Sequence, residues 1–460
     1  MKSAPAATIA MAVALFALSR GYLLFGFQPD QSDTQLYLQY AWEDEVARTQ
    51  GTPLYRFHVE QHDRATARAR ATGSPSPLPE TRSIEYPPLA LQPVLLAKRL
   101  LPRALDVHWD PRAWPLVGTI PGYERAFRAV IAGFDVLAFA LLLWVVPRMY
   151  AAESAVHHLE RWLTYIGAGH LLGHLLYDRL SLPPGAFVLA AVACLAARHI
   201  PVAAGLAWLA CAVAYQLAPI VLLPLFVIAC LPARTLQDRW TVIARALVPP
   251  GLLAGALVAA VFLAFHVREG PESLGFLQYH SQRGLQLESI AATLPLLLSF
   301  GGHAVSLSGD FGAWHLQSSL ARVLAQSSPA LMLLLVGGVV VLTVRAVRSP
   351  APQGEVRFAA ADAPLFAGAV VTSLAAAIVA SKVFSPQYLL WMLPVVPLAP
   401  ARRLLPLFLV IAAVTTTIFP YAYEHVAALT TGGKVLLVAR NVLFVVFTTA
   451  AVLALRRQSV

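Results

Sequence analysis

The sequence predicts an all-α polytopic integral membrane protein with about twelve transmembrane helices. Of its 460 residues, 58% are hydrophobic and only 13% are charged, whereas soluble domains carry about 25% charged residues. The apolar residues form long runs, several of which reach the roughly 20 residues that a helix needs to cross a bilayer. The basic residues lie mostly in short clusters between these runs. Together these observations exclude a soluble protein.

The charge balance indicates the kind of partner, and the cysteines bear on disulfides and metal binding. Thirty-four Lys and Arg residues stand against 24 Asp and Glu residues, which gives a formal net charge of +10. Basic clusters between apolar runs are typical of the positive-inside rule and of contact with anionic lipid headgroups, so we expect a lipid bilayer and no nucleic acid as partner. Cys194, Cys211 and Cys230 lie within apolar runs without metal-ligand spacing, which predicts neither disulfides nor a zinc site.

The first apolar run, from about Ala4 to Phe27, is predicted to be a retained helix, because it exceeds the roughly 7 to 15 apolar residues of a signal peptide. Arg20 lies in its second half, and an ionisable residue within a span is a candidate for binding substrate. The alternative is an arginine that reaches the outer headgroups. The predicted spans lie near residues 4–27, 126–147, 162–177, 185–197, 200–215, 217–232, 243–266, 324–344, 363–380, 387–399, 404–420 and 433–455.

A first extracytoplasmic loop of about 28–123 contains an apolar run at 87–102 that we predict lies on the membrane surface. This run has about 16 residues, contains prolines and ends in Lys98-Arg99, so it is short for a span. If the run 87–102 does not cross the membrane, the basic turns fall in the cytoplasm, and so do both termini. These turns include 148–161 and the cluster of Arg234, Arg239 and Arg245. A second loop, about 267–323, then lies outside. In it, the run 290–300 is too short to cross.

This topology brings three polar segments to the outer face. The first contains Asp33, Tyr37, Glu85 and Tyr86, the second is 279–289, and the third is 381–388. The face therefore carries a set of carboxylates and a set of cations. Such a site suits the transfer of a group away from phosphate, since a carboxylate can accept a proton while cations stabilise the departing charge.

At these residues the sequence resembles the GT-C glycosyltransferases, specifically the family 87 enzymes that use polyprenyl-phosphate mannose. The similar motifs are Asp33 with Tyr37, Gly51 with Tyr55, Glu-Tyr-Pro-Pro-Leu at 85–89, the 280–289 loop, and Lys382 with Ser-Pro-Gln-Tyr at 385–388. The segment Tyr-Gln-Leu-Ala-Pro at 215–219 departs from the family pattern, in which a lysine precedes the proline. The resemblance covers most of the chain and implies one GT-C domain over 1–460 with surface helices in its first outer loop.

The resemblance also implies the function and the roles of the site residues. The enzyme would transfer a hexose, mannose, from a polyprenyl-phosphate donor to a glycolipid or cell-envelope glycan acceptor, with inversion and without a metal or other cofactor. Asp33 would be the general base, although its position also suits a helix N-cap, and Asp30 is the rival base. The donor phosphate would be bound by His280, Arg283 and Lys382. Substrate would be bound or oriented by Arg20, Tyr37, Glu85, Tyr86, Glu288, Gln387 and Tyr388.

The implied location is the inner or plasma membrane, with the active site extracytoplasmic. Nucleotide sugars are made in the cytoplasm, so an outward-facing transferase needs a sugar carried across on a lipid phosphate. His170 and His174 have the spacing of a metal pair, but no acidic motif accompanies them. Two alternatives stay open: a secondary transporter or flippase of a lipid or glycan, and a non-catalytic GT-C relative. A transporter should show repeated halves and ionisable groups near the middle of the bilayer.

Overall fold

A computed structural model describes residues 5–27, 33–73, 82–101, 122–197, 201–231, 235, 238, 240–347 and 362–458. Within these ranges the chain is almost entirely helical, and one short β-hairpin is present. Asp30, Arg234 and Arg239 lie outside the described residues. The helices pack around one large apolar core, and a second, smaller apolar cluster includes Leu285, Leu316 and Leu437.

Seven of the described helical segments are long and apolar enough to cross a membrane. These segments are Ala6–Gly26, Tyr123–Met149, Thr241–Glu269, Ser319–Val347, Ala363–Ala380, Leu404–Tyr421 and Thr431–Arg457. Several expose large apolar side chains, such as Leu252 and Leu333, as lipid-facing surfaces do. The chain is therefore a multi-pass membrane protein, as the composition predicts.

The bounds of the helices follow the predicted spans closely in the first half of the chain. The helices are α1 (Ala6–Gly21), α2 (Thr34–Thr49), α3 (Leu54–Thr72), α4 (Gln92–Arg99), α5 (Tyr123–Met149), α6 (Ala155–Leu171), α7 (Gly173–Leu176), α8 (Leu182–Ala196), α9 (Val202–Tyr215) and α10 (Leu223–Ala229). A π-helical turn, Tyr22–Gly26, extends α1, and a 3₁₀ turn, Ala218–Leu222, precedes α10. Helix α8 is short but almost wholly buried, which satisfies the requirement that a half-length apolar helix be shielded by protein.

The second half contains the outer loop, the hairpin and the last spans. Its elements are α11 (Trp240–Glu269), α12 (Gly275–Gln282), α13 (Thr293–Phe300), β1 (Ser306–Asp310), β2 (Ala313–Gln317), α14 (Ser319–Val347), α15 (Ala363–Ala380), α16 (Leu389–Met392), α17 (Leu404–Thr416), α18 (Tyr423–Ala427) and α19 (Thr431–Arg457). Helix α13 has eight residues, so the run 290–300 is too short to cross, as predicted. A π-helical turn at Thr417–Tyr421 extends α17.

The predicted span 387–399 is not one continuous helix, and the count of twelve spans is not confirmed. This segment forms only the four-residue helix α16 between two 3₁₀ turns, and nearly all of it is buried. Pro394 and Pro397 explain the break, because a proline inside a helix removes a hydrogen-bond donor and clashes with the preceding turn. The broken segment runs through the bundle from Tyr388, which lies near Glu85, to Leu398, whose carbonyl accepts a hydrogen bond from the Tyr150 hydroxyl at 2.6 Å.

Helix α4 lies within the run 87–102, which we predict lies on the membrane surface. Its eight residues extend about 12 Å, which is far less than the thickness of a bilayer. Pro93, Val94, Leu95 and Ala97 are buried against neighbouring helices, and the Tyr123 hydroxyl donates a hydrogen bond to the Val94 carbonyl at 3.2 Å. Helix α4 thus packs against the start of α5 and the side of α2.

The β-hairpin was not predicted from the sequence, and it supports the second polar segment. Ser306 to Asp310 pair antiparallel with Ala313 to Gln317, and the turn residues Phe311 and Gly312 have φ of 50° and 64°. The hairpin also bonds to the loop before it, because Leu287 N donates to the Trp314 carbonyl at 2.9 Å. In the other direction, Leu316 N donates to the Leu285 carbonyl at 2.8 Å. The hairpin therefore fixes one side of the 280–289 loop.

Candidate active site

The 280–289 loop is bonded directly to the third polar segment. Gln286 N donates to the Lys382 carbonyl at 2.9 Å, and the Gln286 side-chain oxygen accepts a bond from Phe384 N at 2.9 Å. The Lys382 ammonium donates to the Ser281 carbonyl at 2.9 Å. Residues about 100 positions apart in the chain are thus held side by side.

Tyrosines hold the first polar segment together, and Glu85 lies close to the second segment. The Tyr37 and Tyr86 hydroxyls are 3.3 Å apart, and the Tyr55 hydroxyl donates to the Tyr86 carbonyl at 2.7 Å. Burial, with a smaller effect of the Glu85 carboxylate, raises the pKa of Tyr279 well above its usual range, so Glu85 lies close to the second segment. The structure therefore brings all three predicted segments together.

An apolar cavity of about 340 Å³ opens where the three segments meet. Six residues that the sequence analysis selects line it: Glu85, Tyr86, His280, Arg283, Gln387 and Tyr388. Its other walls are mostly apolar side chains between α14, α15 and the turn before α10, among them Val221, Met332 and Leu374. Tyr388 stacks on Trp391 with ring centroids 3.9 Å apart. The cavity therefore has an apolar body and a cluster of polar groups.

A second cavity, of about 450 Å³, lies on the other side of Arg283. We call it the cationic cavity, because Arg283, Arg322 and Lys382 line it. The three residues that were predicted to bind the donor phosphate are thus divided between the cavities. His280 lines the apolar cavity, Lys382 lines the cationic cavity, and Arg283 lines both.

Arg283 is the cation best placed to bind an anion. Its side chain makes no hydrogen bond or ion pair to another residue of the described part of the chain, and its Nε is shielded from solvent. The guanidinium lies 5.8 Å from the centroid of the Tyr279 ring. A guanidinium has five N–H donors and no acceptor, so these donors are available to an anionic ligand.

His280 is neutral at pH 7 in the absence of a ligand. Its side chain is exposed to the cavity yet surrounded by protein, and burial together with the Arg283 charge lowers the pKa of His280 to about 4. It can therefore donate or accept a hydrogen bond, while the positive charge at this position comes from Arg283. A bound phosphate would act in the opposite direction and favour protonation.

Asp33 lies at the N-cap position of α2, but its side chain does not cap the helix. The carboxylate forms an ion pair with Arg179, which the sequence analysis did not select. The Asp33 side chain is 32% exposed and that of Arg179 is 13% exposed. Asp33 lines neither of the two cavities, and it precedes by one helical turn the Tyr37 whose hydroxyl contacts Tyr86.

Arg179 belongs to a turn whose three successive side chains are all tied to other elements. The Tyr177 hydroxyl donates to Asp135 at 2.5 Å, and Asp178 lies 3.6 Å from the Arg128 guanidinium. Burial lowers the pKa of Arg179 to about 10, although attraction to Glu288 opposes this shift. Arg179 is still positively charged at pH 7. No motif marks this turn, and its only signal in the sequence is a pair of charges between two apolar runs.

Glu288 is a buried residue of the 280–289 loop, and it forms hydrogen bonds with Gln286 and Arg440. Its carboxylate accepts a bond from the Gln286 side chain at 2.7 Å, and its carbonyl accepts one from Arg440 at 2.5 Å. Burial raises the pKa of Glu288 to about 7, although Arg440 and Arg283 attract the charged form. Arg440, in the middle of α19, is a second residue that the sequence analysis did not select. It is fully buried over the Phe384 ring at 4.1 Å.

Arg20 is tied into the helix bundle away from both cavities. Its Nε donates to the buried Asp135 carboxylate at 2.9 Å, and a second nitrogen donates to the Ile166 carbonyl at 2.9 Å. Asp135 also accepts a bond from the Tyr165 hydroxyl at 2.6 Å. These contacts satisfy the guanidinium within the protein, so the alternative of an arginine that reaches the headgroups does not apply. A role in binding substrate stays a prediction.

The two histidines with metal-pair spacing bond to separate partners. His170 Nδ1 lies 3.1 Å from the Ser19 hydroxyl, and His174 Nε2 lies 2.9 Å from the Tyr421 hydroxyl. Among the residues that the structure describes, no group of three or more His, Cys, Asp or Glu side chains is arranged to hold a metal ion.

Comparisons with known proteins give little further information. Neither a protein-family model nor a curated protein matches the sequence. Among solved structures, the chain is similar to that of ArnT from Cupriavidus metallidurans bound to undecaprenyl phosphate. The two chains are 14% identical with a TM-score of 0.42, and the match covers 98% of this chain and 76% of the ArnT chain. Because the similarity is this low, function has to be inferred from the geometry of the site.

Proposed function

We propose that this protein is a GT-C membrane glycosyltransferase. It transfers a hexose, mannose, from a polyprenyl-phosphate donor to a glycolipid or cell-envelope glycan acceptor. The observation that carries this proposal is the apolar cavity, which combines lipid-compatible walls with a polar cluster containing Arg283, Glu85 and His280. A polyprenyl chain suits the walls, and a phosphate with its sugar suits the polar cluster.

The chemistry follows from an unpaired cation at the position of the leaving group. The acceptor hydroxyl attacks the anomeric carbon from the face opposite the phosphate, and the bond from that carbon to the phosphate oxygen breaks. The oxygen leaves with the electron pair, and Arg283 stabilises the resulting charge. Attack from the opposite face inverts the anomeric configuration. Neutral His280 and Gln387 supply hydrogen bonds at the same end of the cavity.

Asp33 is the general base in this proposal, and Arg179 positions it. The proton of the acceptor hydroxyl passes to the Asp33 carboxylate as the new glycosidic bond forms. An arginine partner holds a carboxylate by charge-assisted bonds while leaving lone pairs for the substrate. The partial exposure of the Asp33 side chain leaves it accessible to an acceptor.

The proposed location is the inner or plasma membrane, with both termini in the cytoplasm and the site on the extracytoplasmic face. This side follows from the distribution of basic turns and from the need for a lipid-linked sugar outside the cell. A transporter or flippase would move its substrate through the bundle, whereas the polar lining residues of the apolar cavity come largely from the outer-face segments. The distribution of polar groups therefore favours transfer.

The test is a transfer assay with purified protein in a neutral detergent. We expect turnover of polyprenyl-phosphate mannose with a glycolipid acceptor, with release of polyprenyl phosphate, and no turnover of GDP-mannose. Polyprenyl-phosphate glucose tests the choice of sugar. Equal turnover of GDP-mannose without a lipid carrier would disprove the proposed donor. Movement of the intact lipid-linked sugar across a vesicle membrane, with no release of polyprenyl phosphate, would favour the flippase.

A further inference from the structure

The cationic cavity has only one lining residue, Arg283, in common with the apolar cavity. It lies between the end of α12, the loop 281–285, the end of β2 and the first three turns of α14, with Lys382 on one wall. Its lining contains three cations and no carboxylate, whereas the lining of the apolar cavity includes Glu85. Of the cations, only Arg283 is shared. The cavity therefore has its own positive charge.

Arg322 and Lys382 have N–H groups that make no hydrogen bond within the described residues. The Arg322 side chain is exposed and, within the described residues, makes no hydrogen bond or ion pair. Lys382 uses one of its three N–H donors on the Ser281 carbonyl. Burial lowers the pKa of Lys382, and the neighbouring Arg283 charge adds to this shift. The Arg283 and Lys382 charges repel each other, and an anion between them would remove the repulsion.

The start of α14 adds to the positive potential. The helix has 29 residues, and the cavity is lined by Ser318, which precedes it, and by Ala321 of its first turn. Ser318 accepts one bond from Ala321 N at 3.0 Å, which leaves other N–H groups of the first turn without an intrahelical partner. The N-terminal end of a helix attracts anions through its dipole, so it acts in the same direction as the three cations.

The cavity also adjoins the first turns of a candidate membrane span. Helix α14 begins at Ser319, and the candidate span covers Ser319–Val347, so the cavity adjoins the end of a membrane-crossing segment. Val323, one turn into that helix, is 59% exposed, as a lipid-facing side chain would be. Arg322 is therefore a cation next to an apolar, lipid-facing surface.

We propose that the cationic cavity is a second binding site, which takes the phosphate-bearing headgroup of an anionic lipid. This site is distinct from the donor site in the apolar cavity, and it does not depend on the transferase activity. The phosphate would be held by Arg322, Lys382 and the cavity side of Arg283. The acyl chains would follow the exposed apolar face of α14.

The test measures lipid binding to the full-length protein in a neutral detergent, with no sugar donor present. The probes are dihexanoyl phosphatidylglycerol, dihexanoyl phosphatidylcholine and inorganic phosphate, titrated by microscale thermophoresis. We expect tighter binding of the anionic lipid, and Arg322→Gln should weaken it by roughly tenfold, the value of one charge-assisted hydrogen bond. Arg345→Gln is the matched control, because this exposed arginine lies on the same helix near its other end. Arg345→Gln should bind the lipid like the parent.

The outcomes separate the possible ligands. Loss with Arg322→Gln and none with Arg345→Gln supports the proposal, and Lys382→Gln should reproduce the loss if Arg322→Gln fails to fold. Equal binding of both lipids, or equal affinity of the Arg322→Gln variant and the parent for phosphatidylglycerol, would overturn it. Arg322-dependent binding of inorganic phosphate without binding of the lipid would overturn the lipid assignment in favour of a free anion. Because no donor is present, failure of sugar transfer leaves this result unaffected.

Discussion

Replacing Asp33 by Asn is the sharpest test of the proposed catalytic site. The substitution keeps the shape of the side chain and an oxygen that can accept a bond from Arg179, but it removes the proton acceptor. If Asp33 is the general base, transfer should fall by roughly 10²- to 10⁴-fold, which corresponds to about 3 to 5 kcal/mol of transition-state stabilisation.

The effect on stability should be much smaller than the effect on catalysis. The Asp33 side chain is 32% exposed and makes no cap bond to its helix. An ion pair that is partly exposed contributes about 1 kcal/mol or less, and Asn retains part of the contact with Arg179. A large fall in transfer with nearly unchanged unfolding therefore identifies a chemical role, because a structural role would change both quantities together.

The assay is transfer from polyprenyl-phosphate mannose, with thermal unfolding measured on the same preparations. Asp44→Asn is the matched control, because Asp44 lies on the same helix and pairs with Arg48 at 2.9 Å in the same way. This variant should transfer at the parent rate. Arg179→Gln alone should lower transfer, and the double variant with Asp33→Asn should be no slower than Asp33→Asn. Residues that act as a unit are non-additive in this way.

Parent-level transfer by a folded Asp33→Asn variant would refute the assignment of the base. A further loss in the double variant would refute the role of Arg179 in positioning Asp33, since Arg179 would then act independently. If Asp30→Asn is inactive while Asp33→Asn is active, the rival aspartate is the base. If neither substitution lowers transfer, the transferase proposal itself fails.

Three other predictions follow from the site and the topology. Burial raises the pKa of Glu288 from 4.5 to about 7. The folded protein therefore binds this proton more tightly than the unfolded chain, and the free energy of unfolding should fall by up to about 3 kcal/mol as pH rises through this window. Thermal unfolding of Glu288→Gln should show a weaker dependence on pH. His280→Gln should weaken donor binding at pH 7 by less than roughly tenfold, because the imidazole is neutral. Arg283→Gln should weaken donor binding by more than this. Equal losses of donor affinity in binding titrations of the two variants would contradict the prediction. In intact cells, a membrane-impermeant thiol reagent should label a cysteine at Gln278 but one at Arg345 only after permeabilisation, and the reverse pattern would invert the topology.

The sequence predicts the membrane class and the meeting of three segments for a simple physical reason. The cost of burying charge in a bilayer fixes which runs cross it and on which side the loops lie, and both are read from composition. Segments at the same end of a compact helix bundle are then expected to lie close together. Glu85, His280, Arg283 and Gln387, which the resemblance selects, belong to these segments and line the same cavity.

The sequence does not reveal features that depend on tertiary packing. The hairpin at 306–317 has a Phe-Gly turn, which is a weaker signal than the Asn-Gly that such two-residue turns favour. The segment 387–399 is apolar enough to resemble a span, but its prolines limit the helices to a few residues. Arg179 is separated from Asp33 by 146 positions in the chain, and only the packed bundle brings the two side chains together.

The position of Asp33 is set by the helix bundle as much as by the outer loop. Arg179 follows Asp178, which lies 3.6 Å from Arg128 of α5. The same turn begins with Tyr177, which bonds to Asp135, about two helical turns further along α5. A buried pair is costly to break, by about 3 to 5 kcal/mol, so this turn has little freedom to move. The candidate base is therefore held by a partner whose two preceding residues are bonded to the membrane-spanning helix α5.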